Sequence, residues 1–327
     1  MTSSAEAPRP DMPAAFILEP GKPVPDALRG RVLVLGNFDG VHRGHAELAR
    51  VANEMAAAHG GQAAALTFEP HPRSVFRPDQ PVFRLTPAAL KVELLAGEGL
   101  APSFVVPFDR EIAAVAAEAF IDELLLGRLG ASGLVCGYDF HFGAGRTGSP
   151  EMLQARACAA GVPVTVVAPY SWQGEPVSST LIRAALEQGD VARAAEFLGR
   201  PWLVRGVVAH GDKRGRELGY PTANMHLPRD CRLRYGVYAV RMRVDGIWRD
   251  GVASFGSRPT FDDGAPRLET FLFDFSGDLY GKTVDVALVA WLRGEAKFDS
   301  LEALIAQMDA DSLQARDILG RTPPFLP

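Results

Sequence analysis

Residues 31–45 read Arg-Val-Leu-Val-Leu-Gly-Asn-Phe-Asp-Gly-Val-His-Arg-Gly-His and are followed by a helix-forming stretch to Ala58. An apolar run, a glycine-rich turn and a helix are typical of the place where an α/β protein holds phosphate. Backbone N–H groups and the partial positive charge of a helix start favour an anion, and Gly36, Gly40 and Gly44 let the backbone approach it closely. The stretch therefore predicts an α/β fold with an anion site after its first strand.

Two histidines give this site a possible chemistry. His42 and His45 are three residues apart, so they project from one side of the helix once it has begun. Imidazoles at a phosphate site can donate hydrogen bonds to oxygens that gain charge as phosphorus is attacked. The alternative is an ordinary surface turn with two solvated histidines.

The composition excludes several classes of protein. The chain has 327 residues, enough for two domains, and no apolar run approaches the roughly 20 residues that span a bilayer. The net charge of −5 argues against a general nucleic-acid binder, and the basic excess between Arg200 and Arg234 suits a phosphorylated small molecule better. The three widely spaced cysteines predict neither a disulfide framework nor a cysteine metal site, so a cytoplasmic location is expected. Nothing in the sequence indicates the oligomeric state.

The first half of the chain alternates strands with helices. The candidate strands are 31–36, 62–68, 102–107, 132–137 and 163–168, and the candidate helices are 43–58, 86–97, 111–127, 149–160 and 178–187. This alternation predicts a doubly wound parallel sheet, whose ligands bind at the carboxyl ends of the strands. The turn at Gly36 falls at such an end.

The pattern changes after Pro201. Segments rich in Val, Phe and Tyr and interrupted by Gly, Asp and Pro predict a small antiparallel β-barrel. They are residues 202–210, 236–244, 247–256, 267–275 and 283–292, and a closing helix follows at 300–319. We therefore expect a flexible leader (1–27), a parallel-sheet domain (28–188), a linker helix (189–200) and a barrel domain (201–327).

Three further segments carry candidate chemistry in the first half. The stiff loop 67–72 and the aromatic loop 137–143 follow predicted strands, and each has either a ligand-binding or a purely structural role. Ser178, Ser179 and Thr180 open a helix, and Arg183 lies over the same turn. A helix cap explains one hydroxyl, whereas a second phosphate site explains all three and the arginine.

In the second half, a basic glycine loop runs into the extended tetrapeptide Pro-Thr-Ala-Asn that ends at Asn224. Thr222 and Asn224 are two residues apart, so their oxygens face the same side of an extended chain and could hold Mg²⁺ that arrives with ATP. An Asn-containing turn is the alternative. Glu269 is the candidate base, because strand alternation places its carboxylate on the face of Phe271, Phe273 and Phe275. An exposed carboxylate at a strand end is the competing interpretation.

Three of these segments, in this order, resemble the adenylyltransferase half of the bacterial bifunctional riboflavin kinase/FAD synthetase family. They are Gly36–His45, Gly137–Gly143 and Ser178–Arg183. The resemblance implies a doubly wound nucleotidyltransferase domain in which the FMN phosphate attacks the α-phosphorus of ATP, giving FAD and pyrophosphate. The chain departs from the family pattern at His141, where a basic residue is expected.

The resemblance also implies roles for individual residues. His42 and His45 would stabilise the transition state. Ser179, Thr180 and Arg183 would hold the departing phosphates. The residues that would shape the nucleotide and flavin pockets are Gly36, Asn37, Phe38, Asp39, Gly44 and Asp139.

The second half resembles the riboflavin kinase module of the same family, a small β-barrel. The matching segments are Gly211–Asn224, Arg258–Thr260, Leu268–Glu269 and Asp278–Gly281. The resemblance implies transfer of the ATP γ-phosphoryl group to the riboflavin 5′-hydroxyl, giving FMN and ADP, with Glu269 as the base. The residues that it implies for ATP are Gly211, Lys213, Gly215, Arg216, Gly219, Thr222 and Asn224, the last two also holding Mg²⁺.

The leading interpretation is therefore an enzyme that makes FMN from riboflavin and FAD from FMN, each with ATP. One alternative is an adenylyltransferase for FMN or a related phosphate ester with an inactive kinase module, which would form no FMN from riboflavin. The other is a non-catalytic flavin or nucleotide carrier, which would bind these ligands without turnover.

Overall fold

The computed structural model describes residues 13–210, 219–257 and 265–323. By their contacts these residues divide into two compact units. The first unit comprises Met1–Val82 and Ala88–Ser171, and the second comprises Phe83–Pro87 and Trp172–Pro327. The domain bounds expected from the sequence stay a prediction.

The first unit contains the predicted parallel sheet, with six strands instead of the five expected from the sequence. Its strands are β1 (Ala15–Ile17), β2 (Val32–Leu35), β3 (Ala63–Glu69), β4 (Ser103–Pro107), β5 (Gly133–Gly137) and β6 (Val164–Val167). They are arranged in the order β1-β4-β3-β2-β5-β6, and every neighbouring pair is parallel. The order reverses between β2 and β5, so the two strands flank the point where doubly wound sheets bind ligands.

Helices cover both faces of this sheet. They are α1 (Arg43–Ala58), α2 (Pro72–Phe76), α3 (Ala88–Gly97), α4 (Arg110–Ala113), α5 (Ala117–Ala119), a π-helix (Phe120–Arg128) and α6 (Pro150–Ala159), with 3₁₀ turns at Asp26–Leu28 and Ala144–Arg146. Alternate residues of β2 enter opposite cores, Val32 and Val34 with α1, and Leu33 and Leu35 with the π-helix. Because both faces are buried, the strands are continuous apolar runs in the sequence.

The structure differs from the sequence prediction at the start of the unit. Residues 15–17, placed by the sequence in the flexible leader, form β1, in which Phe16 pairs with Phe104 of β4. Leu18 and Val24, also from that segment, are buried in the core. A three-residue edge strand has too little periodicity to be recognised locally, because its stability comes from the strand beside it.

The predicted helix 111–127 is also interrupted. The backbone N–H of Ala144 donates to the Val115 carbonyl at 2.7 Å. That carbonyl is directed to a distant loop instead of the next helical turn, so α4 ends at Ala113 and a new helical segment begins at Ala117.

The second unit is built on a six-stranded antiparallel sheet. Its strands are β9 (Trp202–Val207), β10 (Thr222–His226), β11 (Gly236–Val244), β12 (Ile247–Ser257), β13 (Pro266–Leu272) and β14 (Thr283–Arg293). Their order is β10-β13-β12-β11-β14-β9, and a bridge between Ala209 and Asn224 joins the two ends of this order. The closure agrees with the predicted small barrel, whose interior is filled by residues such as Met225, Tyr238 and Phe255.

Helices and a short hairpin complete the chain. They are the hairpin of β7 (Ser171–Trp172) and β8 (Glu175–Pro176), the helices α7 (Ser179–Glu187) and α8 (Val191–Leu198), and the predicted closing helix α9 (Leu301–Arg321). The guanidinium of Arg241 donates to the carbonyls of Leu319 and Thr322 at 2.9 and 2.7 Å. It therefore satisfies the last turn of α9 and fixes that helix on the outer face of the barrel. Within the part of the chain that the structure describes, no helix has the length and apolarity needed to cross a membrane.

A charged ladder crosses three strands of the barrel. Asp285 of β14 lies opposite Arg205 of β9 and Arg243 of β11, and both arginines donate to its carboxylate, Arg205 at 2.6 and 3.0 Å. Burial by itself would raise the pKa of the Asp285 carboxyl, but the hydrogen bonds and charges of the two arginines outweigh it and lower the pKa. The ladder therefore stabilises the folded barrel only while Asp285 is ionised.

We expect Asp285→Asn to lower the free energy of unfolding of the second unit by about 3 kcal/mol at pH 7, because two guanidiniums lose a buried carboxylate. Since folding lowers this pKa, the stabilisation is complete above the pKa of unfolded Asp, about 4, and is lost as the pH falls through the lower folded value. Urea unfolding followed by tryptophan fluorescence measures it, since all four tryptophans, Trp172, Trp202, Trp248 and Trp291, lie in the second unit.

The matched control is Asp245→Asn, which removes a carboxylate that is 69% exposed from its pair with Lys282. A surface pair contributes well under about 1 kcal/mol, so this variant should unfold like the wild type. Equal effects of the two substitutions, or a difference in the free energy of unfolding between Asp285→Asn and wild type that does not shrink as the pH falls below about 4, would contradict the assignment.

Candidate active sites

The turn between β2 and α1 lies at the carboxyl end of the central strand pair. Its backbone is left-handed at Gly40 (φ 94°), as glycine allows, and also at Phe38 (φ 50°) and Val41 (φ 44°), where it is disfavoured. The Phe38 and Val41 side chains are buried, as is the carboxylate of Asp39. Tight packing therefore holds the turn in a conformation that its residues would not adopt alone.

Two glycines of this segment are required by close approach. A Cβ atom on Gly36 would lie 3.0 Å from the ring of Phe38, and one on Gly44 would lie 3.2 Å from the ring of His42. Both positions leave no room for a side chain without movement of an aromatic ring. The two glycines therefore allow the rings of Phe38 and His42 to pack directly against the backbone of the turn and of the helix start.

The structure brings the two predicted imidazoles together. The rings of His42 and His45 are stacked with centroids 3.6 Å apart and planes 15° apart, and Phe38 meets His45 edge-on at 5.2 Å. The backbone N–H of His42 donates to Nδ1 of His45 at 3.2 Å. A neutral His45 therefore carries its proton on Nε2, which makes that atom a hydrogen-bond donor.

The other loops of the first unit lie at the same edge of the sheet. The predicted loop 67–72 is shorter than expected, because β3 runs to Glu69 and α2 begins at Pro72. Thr67, near the end of β3, donates through its hydroxyl to the Asn37 carbonyl at 3.2 Å. Gly137 ends β5 beside the end of β2, so the loop 137–143 begins next to the glycine turn. In that loop a Cβ on Gly137 would lie 3.2 Å from the Asp139 carboxylate, and a ring nitrogen of His141 hydrogen-bonds to the Asp139 carbonyl at 2.9 Å.

One buried charge in this region was missed by the sequence analysis. Lys91 of α3 is only 1% exposed and forms an ion pair with Glu69 at 2.6 Å. The signal in the sequence was a lysine within the apolar helical stretch Ala-Ala-Leu-Lys-Val-Glu-Leu-Leu, residues 88–95. A lysine in such a stretch is usually assigned to the polar face of an amphipathic helix, so hydrophobic periodicity does not reveal that it is buried.

The helix start predicted as a phosphate site belongs to the second unit. Ser178 caps α7, because its hydroxyl accepts a hydrogen bond from the Leu181 N–H at 3.3 Å. Ser179 and Thr180 form the first turn, and Nε of Arg183 donates to the Phe83 carbonyl at 2.7 Å. That these residues hold phosphates beside the glycine turn of the first unit stays a prediction.

In the barrel, the predicted metal-binding residues and the predicted base come together. Asn224 pairs with Glu269, and Thr222 pairs with Phe271, in the antiparallel register of β10 and β13. Ala223 and Met225 point into the barrel, so Thr222 and Asn224 share its outer face with Glu269. The extended backbone confirms the strand-like conformation and excludes the alternative of an Asn-containing turn.

Hydrogen bonds orient these groups. The amide nitrogen of Asn224 donates to the Thr222 carbonyl at 3.1 Å and to the Thr222 hydroxyl at 3.5 Å. These contacts use the nitrogen of the amide and leave its oxygen as the atom that can accept a hydrogen bond or bind a cation. A guanidinium nitrogen of Arg267 lies 3.8 Å from the Glu269 carboxylate, which is half-buried. Glu269 shares the face of Phe271 as predicted, but β13 ends at Leu272, so the predicted strand to residue 275 is too long.

The start of β10 is anchored on α9. The Tyr220 hydroxyl donates to Asp309, and the Tyr220 ring packs on Phe271 at 4.8 Å. Burial raises the pKa of the Tyr220 phenol and the Asp309 carboxylate raises it further, so the group stays a neutral donor. This contact fixes the residue two positions before Thr222.

Part of the predicted kinase site lies outside the described residues, namely Gly211, Lys213, Gly215, Arg216 and the segment 258–260. Gly219 is described and has a left-handed φ of 82°. In the described ranges, no group of three or more His, Cys, Asp or Glu side chains is placed to hold a metal ion. Neutral oxygens such as those of Thr222 and Asn224 suit a cation that arrives with its own anionic ligand.

Comparisons with known proteins assign a class to each part of the chain. The family model described as FAD synthetase matches residues 24–181, and the family model described as riboflavin kinase matches residues 198–319. The chain is therefore an enzyme of the transferase class that combines a nucleotidyltransferase domain with a kinase domain.

Relatives that match almost over their whole length identify the family within this class. The bifunctional riboflavin kinase/FMN adenylyltransferase of Escherichia coli (strain K12) is 40% identical over 298 residues, which is 90% of this chain and 95% of the relative. The protein of the same description from Pseudomonas fluorescens is 40% identical over 289 residues, 88% of this chain and 93% of the relative. This chain belongs to the bifunctional riboflavin kinase/FMN adenylyltransferase family.

A solved structure has the same fold over most of the chain. It is described as a macrolide-efflux protein from Streptococcus pneumoniae, is 34% identical, and aligns with a TM-score of 0.80 over 88% of this chain and 94% of its own.

We expect Gly44→Ala to separate helix stability from FAD synthesis. Alanine favours a helix over glycine by up to about 1 kcal/mol, so the substitution should not destabilise α1. Its Cβ, 3.2 Å from the His42 ring, should displace that imidazole and lower the rate of FAD formation from FMN about tenfold. Chromatographic separation of the flavins and thermal unfolding measure the two effects.

The matched control is Gly97→Ala at the end of α3, where a Cβ atom would meet nothing within 4 Å. This variant should retain the wild-type rate of FAD formation. If Gly44→Ala also retains it, the close packing of Gly44 against His42 has no role in the reaction.

Proposed function

We propose that this enzyme phosphorylates riboflavin to FMN in the barrel and adenylylates FMN to FAD in the parallel-sheet unit, with one ATP consumed in each step. The observation that supports this most directly is that both family domains are present in one chain, in the order of the bifunctional relatives. The geometry supplies suitable residues for each step. The alternative of an inactive kinase module is not favoured, because Thr222, Asn224 and Glu269 are all assembled on one face.

In the kinase step, the riboflavin 5′-hydroxyl oxygen forms a bond to the γ-phosphorus of ATP. The bond from that phosphorus to the β–γ bridging oxygen breaks, and ADP leaves. We assign Glu269 as the base that takes the hydroxyl proton, since its carboxylate is half-buried beside Asn224 and Phe271. The basic loop residues Gly211, Lys213, Gly215, Arg216 and Gly219 would bind the nucleotide.

The metal of this step is proposed to be Mg²⁺ bound to ATP. The residues that would hold it are Thr222, through its hydroxyl, and Asn224, whose amide is oriented with its nitrogen toward Thr222. Neutral oxygen donors fit Mg²⁺ when the triphosphate supplies the negative charge. The ion would neutralise charge that develops on the phosphates as the bond breaks.

In the adenylyl step, a phosphate oxygen of FMN forms a bond to the α-phosphorus of ATP. The bond to the α–β bridging oxygen breaks, and pyrophosphate leaves. Nε2–H of His45 and the stacked imidazole of His42, both at the helix start, would donate to the oxygens that gain charge. No covalent intermediate on the enzyme is needed.

The remaining residues of this step have binding roles in the proposal. Ser179, Thr180 and Arg183 would hold the pyrophosphate that leaves. The nucleotide and flavin pockets would be formed by Gly36, Asn37, Phe38, Asp39, Gly44 and Asp139.

The expected partners are riboflavin, FMN, FAD, ATP, ADP and pyrophosphate, with neither nucleic acid nor membrane. We infer a cytoplasmic location, which the three free cysteines support.

The test is a crossed experiment on the full-length enzyme. Riboflavin or FMN is incubated with Mg-ATP, and the flavins are separated by chromatography. His45→Ala should lower FAD formation from FMN by roughly a hundredfold, the scale of one lost transition-state donor, and leave FMN formation intact. Glu269→Gln should have the opposite pattern, because the amide cannot accept the hydroxyl proton.

Three outcomes would overturn parts of the proposal. Equal damage to both steps by both substitutions would exclude two separate sites. Formation of FAD from FMN without any FMN from riboflavin would indicate an inactive kinase module. Binding of both flavins without turnover would indicate a carrier.

A further inference from the structure

The buried ion pair beneath the glycine turn is not used by either step described above. Lys91 is 1% exposed, and its ammonium lies 2.6 Å from the Glu69 carboxylate. Burying two charges is costly, and a well-packed apolar pair would often serve stability equally well. The other contacts of the Lys91 ammonium therefore have to explain why a charged pair is found here.

The ammonium connects three parts of the first unit. It donates to the Thr67 hydroxyl at 2.9 Å and to the Asn37 carbonyl at 3.2 Å, and it lies 3.4 Å from the Phe68 carbonyl. The Thr67 hydroxyl donates to the same Asn37 carbonyl at 3.2 Å. The carbonyl of Asn37 is thus held by two donors from beneath the turn.

That carbonyl immediately precedes the left-handed part of the turn. Phe38, the next residue, has a φ of 50°, and its fully buried ring packs edge-on against His45 at 5.2 Å. A non-glycine residue keeps such a backbone only when its surroundings determine it. A short chain of contacts therefore runs from Lys91 through Asn37 and Phe38 to the imidazole pair.

We propose that Lys91 is a positioning residue for adenylyl transfer: paired with Glu69, it holds the Asn37 carbonyl and so keeps Phe38 and the His42–His45 pair in their reactive arrangement. The inference rests on the proposed function of the first unit. Lys91 itself contacts no reacting atom in this scheme. Its effect is on the rate of the chemical step, because the imidazoles act on the transition state.

The experiment compares Lys91→Met with the double variant Lys91→Met/Glu69→Gln in the full-length enzyme. Lys91→Met leaves the half-buried Glu69 carboxylate without its ammonium, whereas the double variant carries neither charge and should fold better than the single one. Both variants still lack the ammonium donor to the Asn37 carbonyl, which keeps only its hydrogen bond from the Thr67 hydroxyl. We expect kcat for FAD formation from FMN to fall between about 10-fold and 100-fold in both, with KM for FMN and ATP changed less than about threefold.

Three controls accompany this measurement. FMN formation from riboflavin takes place in the other unit and should be unchanged. Hydrogen exchange of peptides from β2 and β3 reports whether the sheet beneath the turn is folded. Lys22→Met removes a lysine from an exposed ion pair with Glu19 in the same unit and should leave FAD formation unchanged.

The outcomes separate the inference from the proposed function. If the double variant recovers both protection from exchange and wild-type kcat, Lys91 has only a structural role and the inference is wrong. A large rise in KM with unchanged kcat would also overturn it. If the wild type makes no FAD from FMN, the proposed function itself fails, whatever the variants do.

Discussion

The arrangement of the first unit depends on one unfavourable stretch of backbone, the left-handed turn at Phe38 and Val41. The turn persists because the Phe38 ring is buried against Gly36 and His45, and because the Asn37 carbonyl is held from below. Packing of this kind converts a flexible glycine segment into a rigid support for two imidazoles. Rigid donors need little rearrangement as charge develops on phosphate, which suits adenylyl transfer.

In the barrel, it is the register between two strands that fixes the candidate site residues relative to one another. Asn224 and Glu269 are 45 positions apart in the chain, yet they are direct neighbours because β10 and β13 pair in one particular register. A shift of one residue would turn Glu269 into the barrel interior and destroy the site. The bridge from Ala209 to Asn224 and the Tyr220–Asp309 hydrogen bond both restrain β10 in this register.

In the proposed mechanism, the two units use different groups for two different bonds of ATP. In the barrel, neutral oxygens and a single carboxylate suit a reaction in which a hydroxyl must lose its proton. In the parallel-sheet unit, the attacking FMN phosphate is already anionic and needs no base, so hydrogen-bond donors are sufficient. The residue types proposed for each site are thus those that the protonation state of its nucleophile requires.

The sequence by itself determined what is local. The strand–glycine–helix pattern of residues 31–58, the bounds of α1 and most of the strands could be predicted, because periodicity and turn chemistry act over a few residues. The tertiary structure decided what depends on distant partners. Strand β1, the interruption at Val115, the burial of Lys91 and the pairing of Asn224 with Glu269 all require contacts with residues far along the chain. No local pattern specifies such contacts, since their energies exist only once the sheets have formed.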